Sequence, residues 1–155
     1  MSKTSAANII PNRVLTLSSD PLPFQFWHRY ASLTEKATFV DVDYPQLIDK
    51  KRDVVFTKTL LRDALLKTGL RSAEAPTRVR SDRYMAIGCD LRDLQLLERT
   101  LRAELDIPNS SILFVAEVSV TYMPLMDANK LIQWANTFDN GMFVQILRSR
   151  FHCSF

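Results

Sequence analysis

The sequence has few of the residues that build disulfide or metal-bound frameworks. It holds two cysteines, Cys89 and Cys153, two histidines, His28 and His152, and no Cys-x-x-Cys pair. Such a set supports neither a disulfide framework nor a zinc site. Neither histidine has a serine, cysteine or aspartate partner at a recognisable spacing, so triad catalysis is not expected. Cys89, at the end of an apolar run, is interpreted as a small core residue.

Long apolar runs and a strong net charge are missing as well. No stretch of eighteen apolar residues occurs, and residues 1–10 do not resemble a secretory signal, so no membrane span is predicted and a cytoplasmic location is expected. The formal net charge is only +3 over 155 residues, a weak attraction for polyanions. Local clusters of basic residues are therefore interpreted as solvated surface: Lys50, Lys51 and Arg52, and Arg78, Arg80 and Arg83.

Short apolar runs rich in β-branched residues alternate with segments of helical spacing. The predicted strands are residues 13–17, 38–43, 84–89, 112–116 and 142–147, and the predicted helices are residues 24–33, 44–69, 91–105 and 126–137. Residues 71–81 are polar, contain Pro76 and are predicted to form a loop. The alternation predicts an α/β fold with a mostly parallel sheet of about five strands and helices on both faces. The length predicts a single domain, residues 1–155.

Acidic residues follow four of the predicted strands. They are Asp20, Asp43, Asp90 and Glu117. In open parallel sheets, ligands bind beyond the carboxyl ends of the strands, near the point where the strand order reverses. A carboxylate at the end of the second strand can accept hydrogen bonds from ribose hydroxyls. The pattern therefore predicts a nucleoside-binding crevice at this edge of the sheet.

Four segments of the sequence carry a family resemblance. They read DPLPFQ from Asp20, FVDVDYP from Phe39, IGCDLRD from Ile87 and AEVSVTYM from Ala116. Together, in this order, they resemble the leucine carboxyl methyltransferase family over about residues 13–145. The resemblance implies a Rossmann-like class I methyltransferase fold and S-adenosylmethionine as the cofactor.

The resemblance also implies roles for individual residues. Asp43 would bind the ribose, and Asp90 and Leu91 would hold the adenine through a side-chain and a backbone contact. Glu117 and Tyr122 would line the methionine end and the acceptor pocket, and Asp20 would lie beside the cofactor. The chemistry implied is an in-line methyl transfer to a carboxylate, in which positioning supplies most of the rate.

Two branches of the family differ in their acceptor. One methylates the C-terminal leucine of a protein phosphatase catalytic subunit, and the other acts on hypomodified phenylalanine tRNA during wybutosine synthesis. The segments EVSVTYM from Glu117, DPLP from Asp20 and IQWA from Ile132 look more like the wybutosine branch. The phosphatase branch usually has a cysteine where this chain has Val118.

The sequence departs from the family pattern in three places. Where the family has a G-x-G-x-D turn after the first strand, this chain has Leu17-Ser18-Ser19-Asp20, and none of its three glycines can replace that turn. An arginine-bearing helical segment before the first strand and further strands after the fifth have no counterpart. We therefore expect an incomplete methyltransferase domain, truncated at both ends and marginally stable alone. A non-catalytic remnant or interaction module is the alternative.

Overall fold

The computed structural model describes residues 12–17, 29–30, 32, 34–66, 69–117 and 119–146. The strands are β1 (Arg13–Thr16), β2 (Thr38–Asp43), β3 (Arg71–Ser72), β4 (Thr77–Arg80), β5 (Tyr84–Gly88), β6 (Ile112–Glu117) and β7 (Gly141–Ile146). The helices are α1 (Pro45–Thr57), α2 (Thr59–Leu66), α3 (Leu94–Glu104) and α4 (Leu125–Ala135), with a 3-10 turn at Ser119–Tyr122. All but three residues of the helix predicted at 24–33 lie outside the described residues.

The strands form one sheet in the order β3-β4-β5-β2-β1-β6-β7. The five neighbouring strands β5, β2, β1, β6 and β7 pair in parallel, as predicted. Each lies within one or two residues of its predicted bounds. The chain moves outward from β1 to β2 and β5, then returns to the other side of β1 to form β6 and β7. The strand order therefore reverses between β1 and β6, which is the arrangement of a Rossmann-like fold.

The prediction of a loop at residues 71–81 is wrong. This segment forms the hairpin β3–β4, which extends the sheet antiparallel to β5. Thr77 and Val79 are buried, while Arg78 and Arg80 alternate with them and are half-buried. Long arginine side chains at alternate positions hid the period-two pattern, because their charge lowers the apparent hydropathy of a strand that covers one side of the core.

Two of the predicted helices also differ from the structure. The helix expected over residues 44–69 is two helices, since Lys58 adopts an extended backbone (φ −84°, ψ 109°) between α1 and α2. The helix expected to begin at residue 91 begins at Leu94. The side chain of Asp93 caps α3 by accepting a hydrogen bond from the Leu96 N–H at 3.0 Å.

Apolar side chains cover both faces of the sheet, as predicted. On one face, Ile48 and Val55 of α1 pack with Phe39 and Tyr84. On the other, α3 and α4 pack against β1, β2, β5 and β6 around the aromatic cluster Phe114, Trp134 and Phe138. The two layers leave the carboxyl ends of the parallel strands open, which positions the candidate site.

Candidate functional site at the carboxyl ends of the strands

A hollow of about 380 Å³ lies beyond the carboxyl ends of the parallel strands. That volume is in the range of small-molecule sites. Its walls come from the ends of β1, β2 and β5, from α1 and from the turn after β6. The lining residues are Leu17, Asp43, Tyr44, Leu47, Cys89, Asp90, Leu91, Arg92, Ser119, Tyr122, Met123 and Pro124.

The structure brings together four of the six residues predicted for the site. Asp43, Asp90, Leu91 and Tyr122 all line the hollow. Glu117 is the last residue of β6, two residues before the lining residue Ser119, and its side chain lies outside the described part of the chain. Asp20 also lies outside the described residues.

Asp43 is held at the end of β2 by its neighbour on β5. The two strands pair in parallel with Asp43 opposite Gly88, and the Cys89 N–H donates to the Asp43 carbonyl at 2.8 Å. One Asp43 carboxylate oxygen, Oδ1, accepts the Tyr44 N–H at 2.6 Å, which fixes the side chain against its own backbone.

Gly88 permits this close arrangement. A Cβ atom added there would lie 2.9 Å from the Cα of Pro45, the first residue of α1. Real Cβ atoms do not approach backbone carbons that closely, so only glycine lets β5 and the start of α1 lie side by side. Sequence reasoning found no role for Gly88, because the contact joins residues 43 positions apart.

Asp90 forms an ion pair with Arg92 at the rim of the hollow. The Arg92 Nε lies 2.9 Å from Asp90 Oδ1 and 3.1 Å from Oδ2, and the Arg92 backbone N–H donates to Oδ1 at 2.9 Å. These hydrogen bonds from Arg92 lower the pKa of Asp90, because they favour its ionised form. Oδ2 also accepts the Arg92 Nη2–H at 2.5 Å, so Arg92 contacts both oxygens, and a ligand donor would use their remaining lone pairs.

Cys89 lies at the bottom of the hollow and is 1% exposed. Burial, followed by the charges of Asp93 and Asp90, raises the pKa of its thiol to about 11. A protonated thiol is a poor nucleophile. The interpretation of Cys89 as a core residue is therefore confirmed.

Exposed apolar side chains surround the mouth of the hollow. Tyr122 is 84% exposed, and Tyr44 and Leu47 are 48% and 41% exposed. Leu125 and Met126, which directly follow the lining residue Pro124 at the start of α4, are exposed as well. Large apolar groups at the rim of a pocket are typical of a surface that receives a partner.

A buried polar cluster beneath β2 was missed by sequence reasoning. Asp41 is fully buried and pairs with Lys51 of α1, while it accepts hydrogen bonds from Thr16 and, at 2.7 Å, from Tyr84. Burial raises the pKa of Asp41, and Lys51 and the two hydroxyl groups counter that rise. The signal was an acidic residue inside a strand rather than at its end, which requires a buried partner.

Within the described residues, no three histidine, cysteine or acidic side chains gather into a group able to hold a metal ion. No helix among those residues is long and apolar enough to cross a membrane.

Comparisons with known proteins agree with this architecture. Residues 25–136 match the family model described as leucine carboxyl methyltransferase. The tRNA wybutosine-synthesizing protein 4 of Gibberella zeae is 42% identical over 131 residues, which are 83% of this chain and 13% of that protein. The proteins of the same name from Aspergillus fumigatus and Schizosaccharomyces pombe are 38% and 31% identical over 91% and 96% of this chain, or 14% and 22% of their own lengths.

These matches confirm the resemblance to the wybutosine branch. The matched span includes Asp43, Asp90, Leu91, Glu117 and Tyr122. The chain spans less than a quarter of the length of the three relatives named above.

Proposed function

Because this chain belongs to the leucine carboxyl methyltransferase family, we propose that its hollow binds S-adenosylmethionine for methyl transfer to a carboxylate on tRNA. The observation that carries the proposal is the meeting of Asp43 and Asp90 in one hollow at the carboxyl ends of β2 and β5. A nucleoside needs acceptors for its ribose hydroxyls and for its amino group, and these two carboxylates supply them.

The proposed ligand would lie across the ends of the strands. Asp43 would accept from the ribose hydroxyls, and Asp90 from the adenine amino group, while the Leu91 backbone would contact the ring. Glu117 and Asp20, with their negative charge, would face the cationic methionine end. The lining residues include some that follow β5 and some that follow β6, so a ligand that spans the hollow can contact both.

The cofactor, when bound, supplies an activated methyl group. The acceptor carboxylate is already a nucleophile at neutral pH, so the site needs no strong base. What the residues of this chain contribute is orientation: they hold the two reactants in line, which can account for most of a rate enhancement of this kind. The high pKa of Cys89 keeps its thiol protonated, so no thiolate in the hollow competes with the acceptor for the methyl group.

The rim of the hollow supports a nucleic-acid acceptor. Tyr122 and Tyr44 both line the hollow and are exposed, and exposed aromatic side chains stack unpaired bases. The names of the relatives point the same way, since each is called a tRNA wybutosine-synthesizing protein. We therefore propose hypomodified phenylalanine tRNA as the acceptor and a cytoplasmic site of action.

Transfer of a labelled methyl group tests the proposal. We expect label from S-adenosylmethionine in hypomodified phenylalanine tRNA and none in a peptide ending in leucine. Tyr122→Ala should lower transfer to tRNA about tenfold, because one base–aromatic stack is worth about 1–3 kcal/mol. Leu60→Ala is the control, because Leu60 is 88% exposed on α2 and does not line the hollow. Label in the peptide alone would favour the phosphatase branch.

The turn after β1 provides a second arm of this test. Residues 18–28 contain no glycine, and the family pattern has two in that turn. Inserting Gly-x-Gly before Ser19 should raise the affinity for S-adenosylmethionine if side chains there hinder the approach of the cofactor. A chain that binds no cofactor with or without the insertion would be a non-catalytic homologue.

A further inference from the structure

Ser119, a residue that lines the hollow, carries an unpaired hydroxyl group. It is the first residue of the 3-10 turn that follows β6, and its Oγ is buried without a hydrogen-bond partner among the described residues. Buried hydroxyls almost always have partners, because an unsatisfied one loses its hydrogen bonds to water without replacement. Rotation about χ1 can turn this hydroxyl from its buried position toward the hollow that Ser119 lines, where a ligand can supply the missing partner.

The strand order places Ser119 far from Asp90. Asp90 follows β5 and Ser119 follows β6, and these strands are three steps apart in the sheet. With about 4.8 Å between neighbouring strands, the two residues stand at ends of the hollow separated by roughly 14 Å. A nucleoside held by Asp43 and Asp90 consequently leaves Ser119 to the other end of the ligand.

We propose that Ser119 is a positioning residue that donates a hydrogen bond to a carboxylate at this end of the hollow. The inference rests on the proposed function, in which both reactants carry a carboxylate: the methionine moiety of the cofactor and the acceptor. A hydroxyl donating to an ionised carboxylate forms a charge-assisted hydrogen bond, stronger than one between neutral groups.

Ser119→Ala should affect stability and ligand binding in different directions. Without ligand, the substitution removes a buried polar group that has no partner, so the free energy of unfolding should stay equal or rise. With ligand, the same substitution should weaken binding. If the hydroxyl had an ordinary structural role, Ser119→Ala would instead lower the free energy of unfolding without ligand.

Calorimetric titration of the full chain provides the test. S-adenosylmethionine and its decarboxylated analogue form one pair of probes, and hypomodified phenylalanine tRNA with a free or a methyl-esterified carboxylate forms the other. Ser119→Ala should weaken binding about tenfold, or about 1.4 kcal/mol, for the carboxylate-bearing member of one pair only. Thr121→Ala is the matched control, because Thr121 is exposed in the same turn and does not line the hollow.

The two pairs of probes distinguish the cofactor carboxylate from the acceptor carboxylate. A selective loss in the first pair assigns the hydrogen bond to the cofactor, and in the second pair to the acceptor. Equal losses within both pairs, or no loss in either, would overturn the inference. A lower free energy of unfolding for Ser119→Ala without ligand would overturn it too, even for a chain that binds no cofactor. Absence of binding by the unsubstituted chain would instead count against the proposed function.

Discussion

Gly88 and Pro45 approach each other so closely that no side chain fits between them. A Cβ atom at Gly88 would lie 2.9 Å from the Pro45 Cα, and this contact joins the end of β5 to the start of α1. The two acidic residues of the site, Asp43 and Asp90, lie on either side of it, each two residues away along its own chain segment. Their meeting in one hollow depends on this contact.

Gly88→Ala should therefore disturb both the fold and the site. The added methyl group must displace Pro45, and overpacking of this kind costs about 1–3 kcal/mol. We expect the midpoint of thermal unfolding to fall and the affinity for S-adenosylmethionine to fall with it. Unchanged stability and affinity would show that α1 can shift freely, so that the contact does not position Asp43.

Arg92→Ala should weaken cofactor binding. Arg92 orients the Asp90 carboxylate, yet the pair is partly exposed, so we expect a loss of up to about fivefold in affinity. Arg99→Ala, an exposed position on α3, serves as the control. A higher affinity in Arg92→Ala, measured by calorimetry, would mean that Arg92 competes with the ligand for Asp90 instead of preparing it.

Lys51→Met should destabilise the chain strongly. The substitution leaves the carboxylate of Asp41 buried without its counter-ion, and breaking such a pair costs about 3–5 kcal/mol. Lys50→Met, at the exposed neighbouring position on α1, should change the free energy of unfolding by less than about 0.5 kcal/mol. Chemical denaturation measures both.

A double substitution checks the reason for that loss. Adding Asp41→Asn to Lys51→Met removes the unpaired charge, so the double variant should be more stable than Lys51→Met alone. If the two losses simply add, the ion pair is not what the single substitution breaks.

Cys89 should react slowly with iodoacetamide. A pKa of about 11 leaves about a hundredfold less thiolate at pH 8 than the ordinary value of 9.0 does. Because burial raises this pKa in the folded state, the stability linked to the thiol is fully present below about pH 9 and is lost as the pH rises through 11. Alkylation rates measured in a Cys153→Ser background isolate Cys89, and a rate equal to that of the unfolded chain at pH 8 would contradict this account.

The parallel core of the fold was predictable because its signal is local. Continuous apolar runs such as residues 112–116 belong to strands buried on both faces, and their alternation with helices determines the parallel pairing. The β3–β4 hairpin was not predictable in this way, since Arg78 and Arg80 dilute its apolar face. The break at Lys58 was likewise missed, because the apolar spacing continues across it.

The site was predictable only in part. The rule that ligands bind beyond strand ends identified Asp43 and Asp90, and the family resemblance added Leu91 and Tyr122. Ser119 and Gly88 gave no signal, because an orphan hydroxyl and a close backbone approach exist only in three dimensions. Residues of this kind are recognised from burial and packing, not from sequence pattern.

Titration of the chain with S-adenosylmethionine tests the central claim most directly. We expect the unsubstituted chain to bind measurably. The affinity should fall about tenfold or more in Asp43→Asn and in Asp90→Asn, since each removes a charged hydrogen-bond acceptor for the nucleoside. The affinity should not change in Asp139→Asn, at an exposed position away from the hollow. Equal affinity in all four proteins, or no binding in any, would contradict the claim that these two carboxylates form a nucleoside site.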